Sequence, residues 1–535
     1  MTLFFEILEC LLPYIVNTND LLSLSLTNKN IHQYIEINCQ DKVYQTSFKD
    51  NDMELDILRT ERFPELQNDW KKLYKKRKEG QLFTWGQITS GRLGYTRRHL
   101  NPANDNTNIM IRNFILGSNK PHPVPFGAGT TNKPIITDIS AGGFSFQFIT
   151  SDGNLYTTGE TYHGGNKSCG PQLGTSLDYG SVESLVSLSN INIWSLYNLY
   201  NTGSRTNISP PNNLYNNDIT NINSVLNETL DGNKFVKRMV TREALPEIYD
   251  NQNTTLEPRF IKFVKVSSGR AHFLALGEDA ELYSWDDPDV VQGIRMKFPH
   301  NNFKNPILSF ECGWNFNCCY KFGIGLCIWK HRRSVTPYDK FFAYCDYKII
   351  PDTVDNIQNY TCLQDGIVCF VKGNELYMYN DNEEHVFKLK TSILGYKQIN
   401  KVKSGRMNIA IFTNNDEELY IGKINTSRNE LQDLKPVSIP NAHNSDEKFV
   451  EVSFGDYHIL GLSNKGKIYS WGLESQFCGC LGLGMLDFDV PSAIVTLGSR
   501  DIRVPEPTQV SITDNMDYTC IKIAAGGWQS SAIII

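Results

Sequence analysis

From about residue 80 onward, apolar residues fall in short alternating runs closed by glycine and polar turns, a pattern that predicts β-strands rather than helices. The runs form a repeating unit. An apolar strand ends in a small-residue step and a glycine, a second apolar strand follows, and a short turn leads to Leu-Tyr-x-Trp or a near equivalent. Copies read ISAGGFSFQF at 139–148 with LYTTG from Leu155, VSSGRAHFLAL at 266–276 with LYSWD from Leu282, and FECGWNFNCCY at 310–320 with LCIWK from Leu326. Three more are YTCLQDGIVCF at 360–370 with LYMYN from Leu376, VKSGRMNIAIF at 402–412 with LYIGK from Leu419, and VSFGDYHILGL at 452–462 with IYSWG from Ile468. Gly142 to Leu155, Gly269 to Leu282, Gly313 to Leu326, Leu363 to Leu376 and Gly455 to Ile468 are all 13 residues apart, and Gly405 to Leu419 is 14. Such spacing predicts two antiparallel strands joined by a tight hairpin, with turns such as Asp152-Gly153-Asn154 and Lys465-Gly466-Lys467.

The ends of this region complete each other. IKIAAGGWQSSAIII at 521–535 is a first half without a second, and GQLFTWGQITSGRLG at 80–94 is a second half without a first. Pairing 80–94 with 521–535 closes a ring of seven units and removes the exposed edges of an open array. The expected fold is therefore mainly β, a seven-bladed propeller over 80–535 preceded by a small all-α module.

The unit resembles the RCC1 repeat, on Trp85-Gly86 with Gly91-Arg92-Leu93-Gly94, Trp471-Gly472 with Gly479-Cys480-Leu481-Gly482, and Gly170-Pro-Gln-Leu173-Gly174. Some units depart from it: Leu363 stands in place of Gly and Gly422 in place of Trp. Trp285-Asp286 has the look of a WD40 signature, but the Gly-His pairing and spacing of that family do not recur. His272 and His458 share a repeat position that Asn408 and Gln529 take elsewhere, which reads as hydrogen bonding between strands. Trp85, Trp285, Trp329 and Trp471 read as blade-packing aromatics.

Before the ring, Leu3, Ile7, Leu8, Leu11, Leu12 and Ile15 lie on one helical stripe, Asn17 to Asn19 break it, and Asp20 caps a second helix bearing Leu21, Leu22, Leu24 and Leu26. Residues 1–48 are too few to form a stable domain alone and need a partner. Leu3-x-x-Glu6-Ile7-Leu8, Leu12-Pro13 and Asp20 to Lys29 resemble the F-box, with Phe4 where that family usually has Pro. The resemblance implies docking on the adaptor Skp1, and through it on a cullin, by Leu3, Ile7, Leu8, Leu11, Leu12, Pro13, Leu21, Leu22, Leu24, Leu26 and Ile31. Residues 49–79 carry Leu55, Leu58, Phe63, Leu66, Trp70 and Leu73 at mostly helical intervals and read as a helical linker. Its end, Lys75-Lys76-Arg77-Lys78, reads as a solvated helix terminus, with nuclear import as the second reading. The stretch at about 175–258, rich in Asn, Ser, Thr and Tyr, reads as a flexible insertion, and 97–134 and 485–516 as shorter ones.

Composition narrows the function. A formal charge of −6 gives no general attraction to phosphate backbones, so no nucleic-acid partner is expected. The apolar start has no basic region and carries Glu6 and Glu9, unlike a secretory signal, and no apolar run reaches the roughly 18 residues that span a bilayer, so a soluble protein is expected. Thirteen cysteines, an odd number with no CxxC pair, predict thiols in a reducing compartment. Cys318-Cys319 and Cys478-Gly-Cys480 read as small core residues, and no metal or cofactor is expected. No nucleophile elbow, HExxH or phosphate-binding loop is present, so the expected protein is not an enzyme.

An F-box joined to an RCC1-like propeller resembles the fungal SCF-associated factor type. That implies the substrate-recognition subunit of an SCF (Skp1-cullin-F-box) ubiquitin ligase, cytoplasmic and/or nuclear, with the propeller binding a protein for ubiquitination and degradation. A metabolic enzyme such as adenine deaminase is the substrate so implied. The RCC1 resemblance alone implies an alternative, a guanine-nucleotide exchange factor for a Ran-type GTPase; a propeller scaffold without a ligase role is the third reading.

Overall fold

The computed structural model describes residues 57–58, 70–87, 92–94, 117–124, 135–158 apart from 152, 261–285, 294–298, 305–330, 335–337, 342–414 apart from 355, 418–440, 446–474, 478–484, 490, 492–495, 502–512 and 518–535, with 24, 27 and 29–34 nearer the N terminus. Its strands form seven sheets arranged as the blades of a propeller. The inner strands, in chain order, are Ile136–Ala141, Phe263–Ser268, Ile307–Cys312, Ile357–Cys362, Ile399–Gly405, Phe449–Phe454 and Cys520–Gly526. Each contacts the next, and the seventh returns to the first.

The seventh blade is the predicted composite. Gln81–Gln87 pairs antiparallel with Gln529–Ile534, from Gln81 opposite Ile534 to Gly86 opposite Gln529. Second strands are sandwiched between neighbouring blades, so Phe146–Thr150 and Gln529–Ile534 are buried at every position rather than alternately. Trp85, Trp285, Trp329 and Trp471 are all buried, and Phe273 stacks on Trp285 with centroids 4.8 Å apart.

Two of the expected insertions are partly structure. Within 97–134, Gly117–Pro123 is the outer strand of the composite blade, and within 485–516, Ile502–Gln509 is an outer strand of the sixth. Both contain proline, which an outer strand accommodates on its unpaired side. The insertion expected at about 175–258 lies outside the described residues.

The Gly-x-x-His element is a packing device. A Cβ on Gly455 would stand 2.1 Å from His458 Cε1, one on Gly269 2.2 Å from His272 Cε1, and one on Gly313 2.2 Å from the Phe316 ring. A side chain at the first position and a ring three residues later therefore exclude each other. The fourth blade inverts the arrangement: Leu363 is fully buried and Gly366 stands three residues on, with φ +79°. The histidines do bond between strands, but those strands belong to different blades. His272 Nε2 lies 2.9 Å from Asn317 Oδ1, and His458 Nε2 lies 2.7 Å from Ser530 Oγ.

Of the linker, Ile57, Leu58 and Leu73 are buried in one cluster with Cys520 and Ile533, while Leu55, Phe63 and Leu66 lie outside the described residues. The helix Trp70–Arg77 ends on the propeller, where Arg77 Nη2 donates to the Ile136 carbonyl at 2.5 Å. Arg77 is thus buried, not a solvated helix end as expected, because it closes the joint between linker and first blade.

The axial channel as candidate functional site

Every inner strand carries a register shift at the same place: between Ile136 and Asp138, Phe263 and Lys265, Ile307 and Ser309, Ile357 and Asn359, Ile399 and Lys401, Phe449 and Glu451, and Cys520 and Lys522. Each bulge re-aims the strand. Beyond it, residues four and two before the Gly step form two layers, polar everywhere but at Ala524: Asp138, Lys265, Ser309, Asn359, Lys401, Glu451 and Lys522, then Ser140, Ser267, Glu311, Thr361, Lys403, Ser453 and Ala524. Members of both layers line an axial cavity of about 530 Å³.

These side chains join the blades. Inner strands present edge amides with no partner strand, and such groups need an acceptor. Asp138 accepts from the Val266 amide at 2.9 Å, Ser267 from Cys312 at 2.9 Å, Glu311 from Cys362 at 3.0 Å, Asn359 from Val402 at 2.9 Å and Ser453 from Ala525 at 2.8 Å. The two remaining junctions are ion pairs, Lys401 with Glu451 at 2.5 Å and Lys522 with Asp138. Burial pushes the Glu311 carboxyl above its ordinary value against the pull of Lys403, and burial likewise opposes the Glu451 charge, yet Lys401 and Lys403 together hold that carboxyl below its usual range. Lys265 and Lys403 line the cavity with no carboxylate at ion-pair distance among the described residues. Burial lowers the affinity of Lys265 for its proton, while Glu451 raises that of Lys403.

At one end of the channel the turns after the inner strands make a rim. The Gly143 amide donates to the Arg270 carbonyl at 2.8 Å, Arg270 to Trp314 at 3.0 Å, and Trp314 to Leu363 at 2.7 Å. Arg92 lies 5.3 Å from the Phe144 ring, Arg270 5.7 Å from Phe144 and 5.3 Å from Trp314, and Arg406 5.8 Å from Trp314. The polar layers and this rim went unread in the sequence, although the signal is a polar residue two and four positions before the repeated glycine.

Other candidate chemistry is structural. Glu474, Cys478 and Cys480 form the one group of potential metal ligands among the described residues. The Glu474 carboxylate accepts from the amides of Gly479 at 2.6 Å and Leu481 at 3.1 Å and from the Cys478 thiol at 3.2 Å, which fixes the Gly479-to-Gly482 loop over Trp85. Cys318 and Cys319 are buried free thiols whose proton affinity burial raises. Of the residues expected to dock the adaptor, Leu24 and Ile31 are described, both half-buried, Ile31 within the helix Lys29–Tyr34. Leu3, Ile7, Leu8, Leu11, Leu12, Pro13, Leu21, Leu22 and Leu26 lie outside the described residues.

Residues 449–480, the core of the sixth blade, match the Regulator of chromosome condensation (RCC1) repeat. Over 99% of this chain and 97% of the relative, the sequence is 30% identical to SCF-associated factor 1 of Saccharomyces cerevisiae. The chain belongs to the SCF-associated factor 1 family. A second relative, F-box protein pof9 of Schizosaccharomyces pombe, is 26% identical over 52% of this chain and 59% of its own. In structure, the family's ring is similar to Prp20p of Saccharomyces cerevisiae, with a TM-score of 0.51 over 85% of this chain and 91% of that one, and to human WBSCR16, with a TM-score of 0.50 over 85% and 98%. Both are 14% identical in sequence, so they establish the propeller and nothing of its partners.

Proposed function

We propose that this protein is the substrate-recognition subunit of an SCF-type ubiquitin ligase. Residues 1–48 dock on Skp1 and thereby on a cullin through the apolar side chains from Leu3 to Ile31, 49–79 act as a strut, and the propeller holds a protein substrate. The observation that carries this reading is kinship along 99% of the chain with SCF-associated factor 1, N-terminal segment and ring together. The buried joint of Ile57, Leu58, Leu73 and Arg77 supports it, because a strut fixed to the ring holds a bound substrate at a set distance from the ligase. Transfer chemistry belongs to the partner enzymes, and proximity is this subunit's contribution. A metabolic enzyme such as adenine deaminase is the candidate substrate, and the cytoplasm or nucleus the expected site of action.

Co-purification of Skp1 and cullin with the full chain, beside a version lacking residues 1–40 and a Leu21→Ala, Leu22→Ala double variant, tests the reading. Adaptor held by the full chain and lost from both variants, with the propeller's melting temperature unchanged, is the expected result. A folded full chain that retains no adaptor sinks it, and nucleotide exchange on a Ran-type GTPase becomes the assay to run.

A further inference from the structure

We propose that the rim built on Arg270, Arg406, Arg92, Trp314 and Phe144 is where the propeller takes its substrate, and that it recognises an extended acidic segment of that protein. The inference rests on the ligase reading for the word substrate, and on the geometry for the place and the chemistry.

The place follows from the two ends of the inner strands. The linker meets the ring where those strands begin, through Arg77 on the Ile136 carbonyl, and where second strands turn into third, through Ile57 Cγ2 at 3.1 Å from the Cβ position of Gly466. The rim lies at the other end of the same strands. Ile136 and Gly142 are separated along one inner strand by roughly 20 Å at about 3.3 Å per residue. One face of the ring therefore carries the strut, and the opposite face carries the rim.

The chemistry follows from charge and stacking. Arg270 and Arg406 are exposed, and among the described residues neither has a carboxylate at ion-pair distance; Arg406 Nε donates to Gln364 at 3.1 Å. Arg92 is buried beside them, and burial pulls its pKa down to about 10 without neutralising it. Against three guanidiniums the rim turns set two carboxyls: Asp365, which accepts from the Asn315 side-chain amide at 2.9 Å, and Asp456, which burial pushes toward its neutral form while Arg406, Arg270 and Arg92 pull it back. A concave site with this excess positive charge, on a chain of net charge −6, concentrates anionic segments. The Phe144 and Trp314 rings lie within 6 Å of the exposed Arg270 and Arg406 guanidiniums and help to hold them in place, so less order remains to be imposed when carboxylates bond to them. Arginine and tryptophan set together are the composition of a binding hot spot.

The experiment uses the full chain co-expressed with Skp1 and four fluorescein-labelled peptides: one in which Glu and Asp flank a Phe, its Gln/Asn counterpart, its Lys counterpart, and a counterpart with phosphoserines replacing the acidic residues. Anisotropy at low and at physiological salt reads binding. The acidic peptide should bind, more weakly as salt rises, and the Arg270→Glu, Arg406→Glu double variant should weaken it at least about tenfold. The Lys262→Glu, Lys390→Glu double variant, an equal charge change at the opposite end of the strands, should leave it unchanged, and thermal melts should show both variants folded. Equal binding of acidic and Gln/Asn peptides, or binding undisturbed in the folded double variant, overturns the proposal. Binding of the phosphoserine peptide alone overturns the carboxylate assignment. Skp1 in the same preparations separates the two readings: peptide lost with Skp1 retained in the double variant is a property of the rim, whereas peptide bound by a wild-type chain that holds no Skp1 removes the ligase reading and leaves the rim standing.

Discussion

The sixth and fourth blades solve one packing problem with side chains of opposite order. In the sixth, Gly455 has no side chain and the His458 ring covers it; in the fourth, Leu363 is buried and the residue three on, Gly366, has none. A reading by motif scores the fourth blade as degenerate, but its second strand, Ile367–Lys372, is buried at five of six positions, as is that of the sixth. What the repeat conserves is therefore volume at the blade junction, not the identity of the residue that supplies it.

The largest effect should come from forcing the fourth blade's first residue into the sixth. Gly455→Leu places a Cβ 2.1 Å from His458 Cε1 and 3.0 Å from the Gly527 carbonyl oxygen, and should cost more than about 4 kcal/mol, because Gly527 is backbone of the closing blade and the His458 ring is held by Ser530 of the same blade. The reverse change, Leu363→Gly, opens a cavity instead and should cost about 3 kcal/mol. Calorimetric melts of the purified chains check both. A mild Gly455→Leu would break the comparison, since the two positions would then not share a volume.

Combining Gly455→Leu with His458→Gly reproduces the fourth blade's order and sharpens the test. The pair should be more stable than the sum of the single effects predicts by about 1–3 kcal/mol, the coupling expected of side chains in contact. Recovery stays partial because Ser530 Oγ loses the His458 partner it holds at 2.7 Å. Strict additivity in the melts would mean that the ring and the Leu side chain act through different neighbours.

The same contrast explains how much of this molecule could be read before its structure. The 13-residue interval and the two orphan halves at 80–94 and 521–535 gave the ring and its closure, since hairpin length and pairing are local properties of the chain. Outer strands such as Gly117–Pro123 were missed because they touch one neighbour and tolerate polar residues and proline. Asp138, Lys265, Glu311 and Lys403 were missed because the bulge adds a residue to each inner strand, so alternation counted from the strand's start puts them on the wrong face. The rim was invisible for a different reason. Arg92, Arg270 and Arg406 come from the seventh, second and fifth blades, and only the closed ring sets them around one opening.

The smallest effect concerns protons rather than volume. Burial pushes the His458 pKa down to about 3, so the ring is neutral in the folded protein, with Nε2 near Ser530 Oγ, while the unfolded chain titrates near the usual 6.5. Between these values the unfolded state binds the extra proton, so the contribution of His458 is fully present above about pH 6.5 and falls as pH drops toward 3, by up to about 1.4 kcal/mol per pH unit. The fourth blade has no group at this position that titrates. Glutamine already serves there in the seventh, where Gln529 Nε2 donates to the Gly142 carbonyl at 3.1 Å. His458→Gln should therefore lose about 1 kcal/mol less than the wild type between pH 7.5 and 5.5, read as a smaller fall in melting temperature. Parallel falls in the two proteins would place acid sensitivity elsewhere and leave the histidine blades distinguished from the fourth by shape alone.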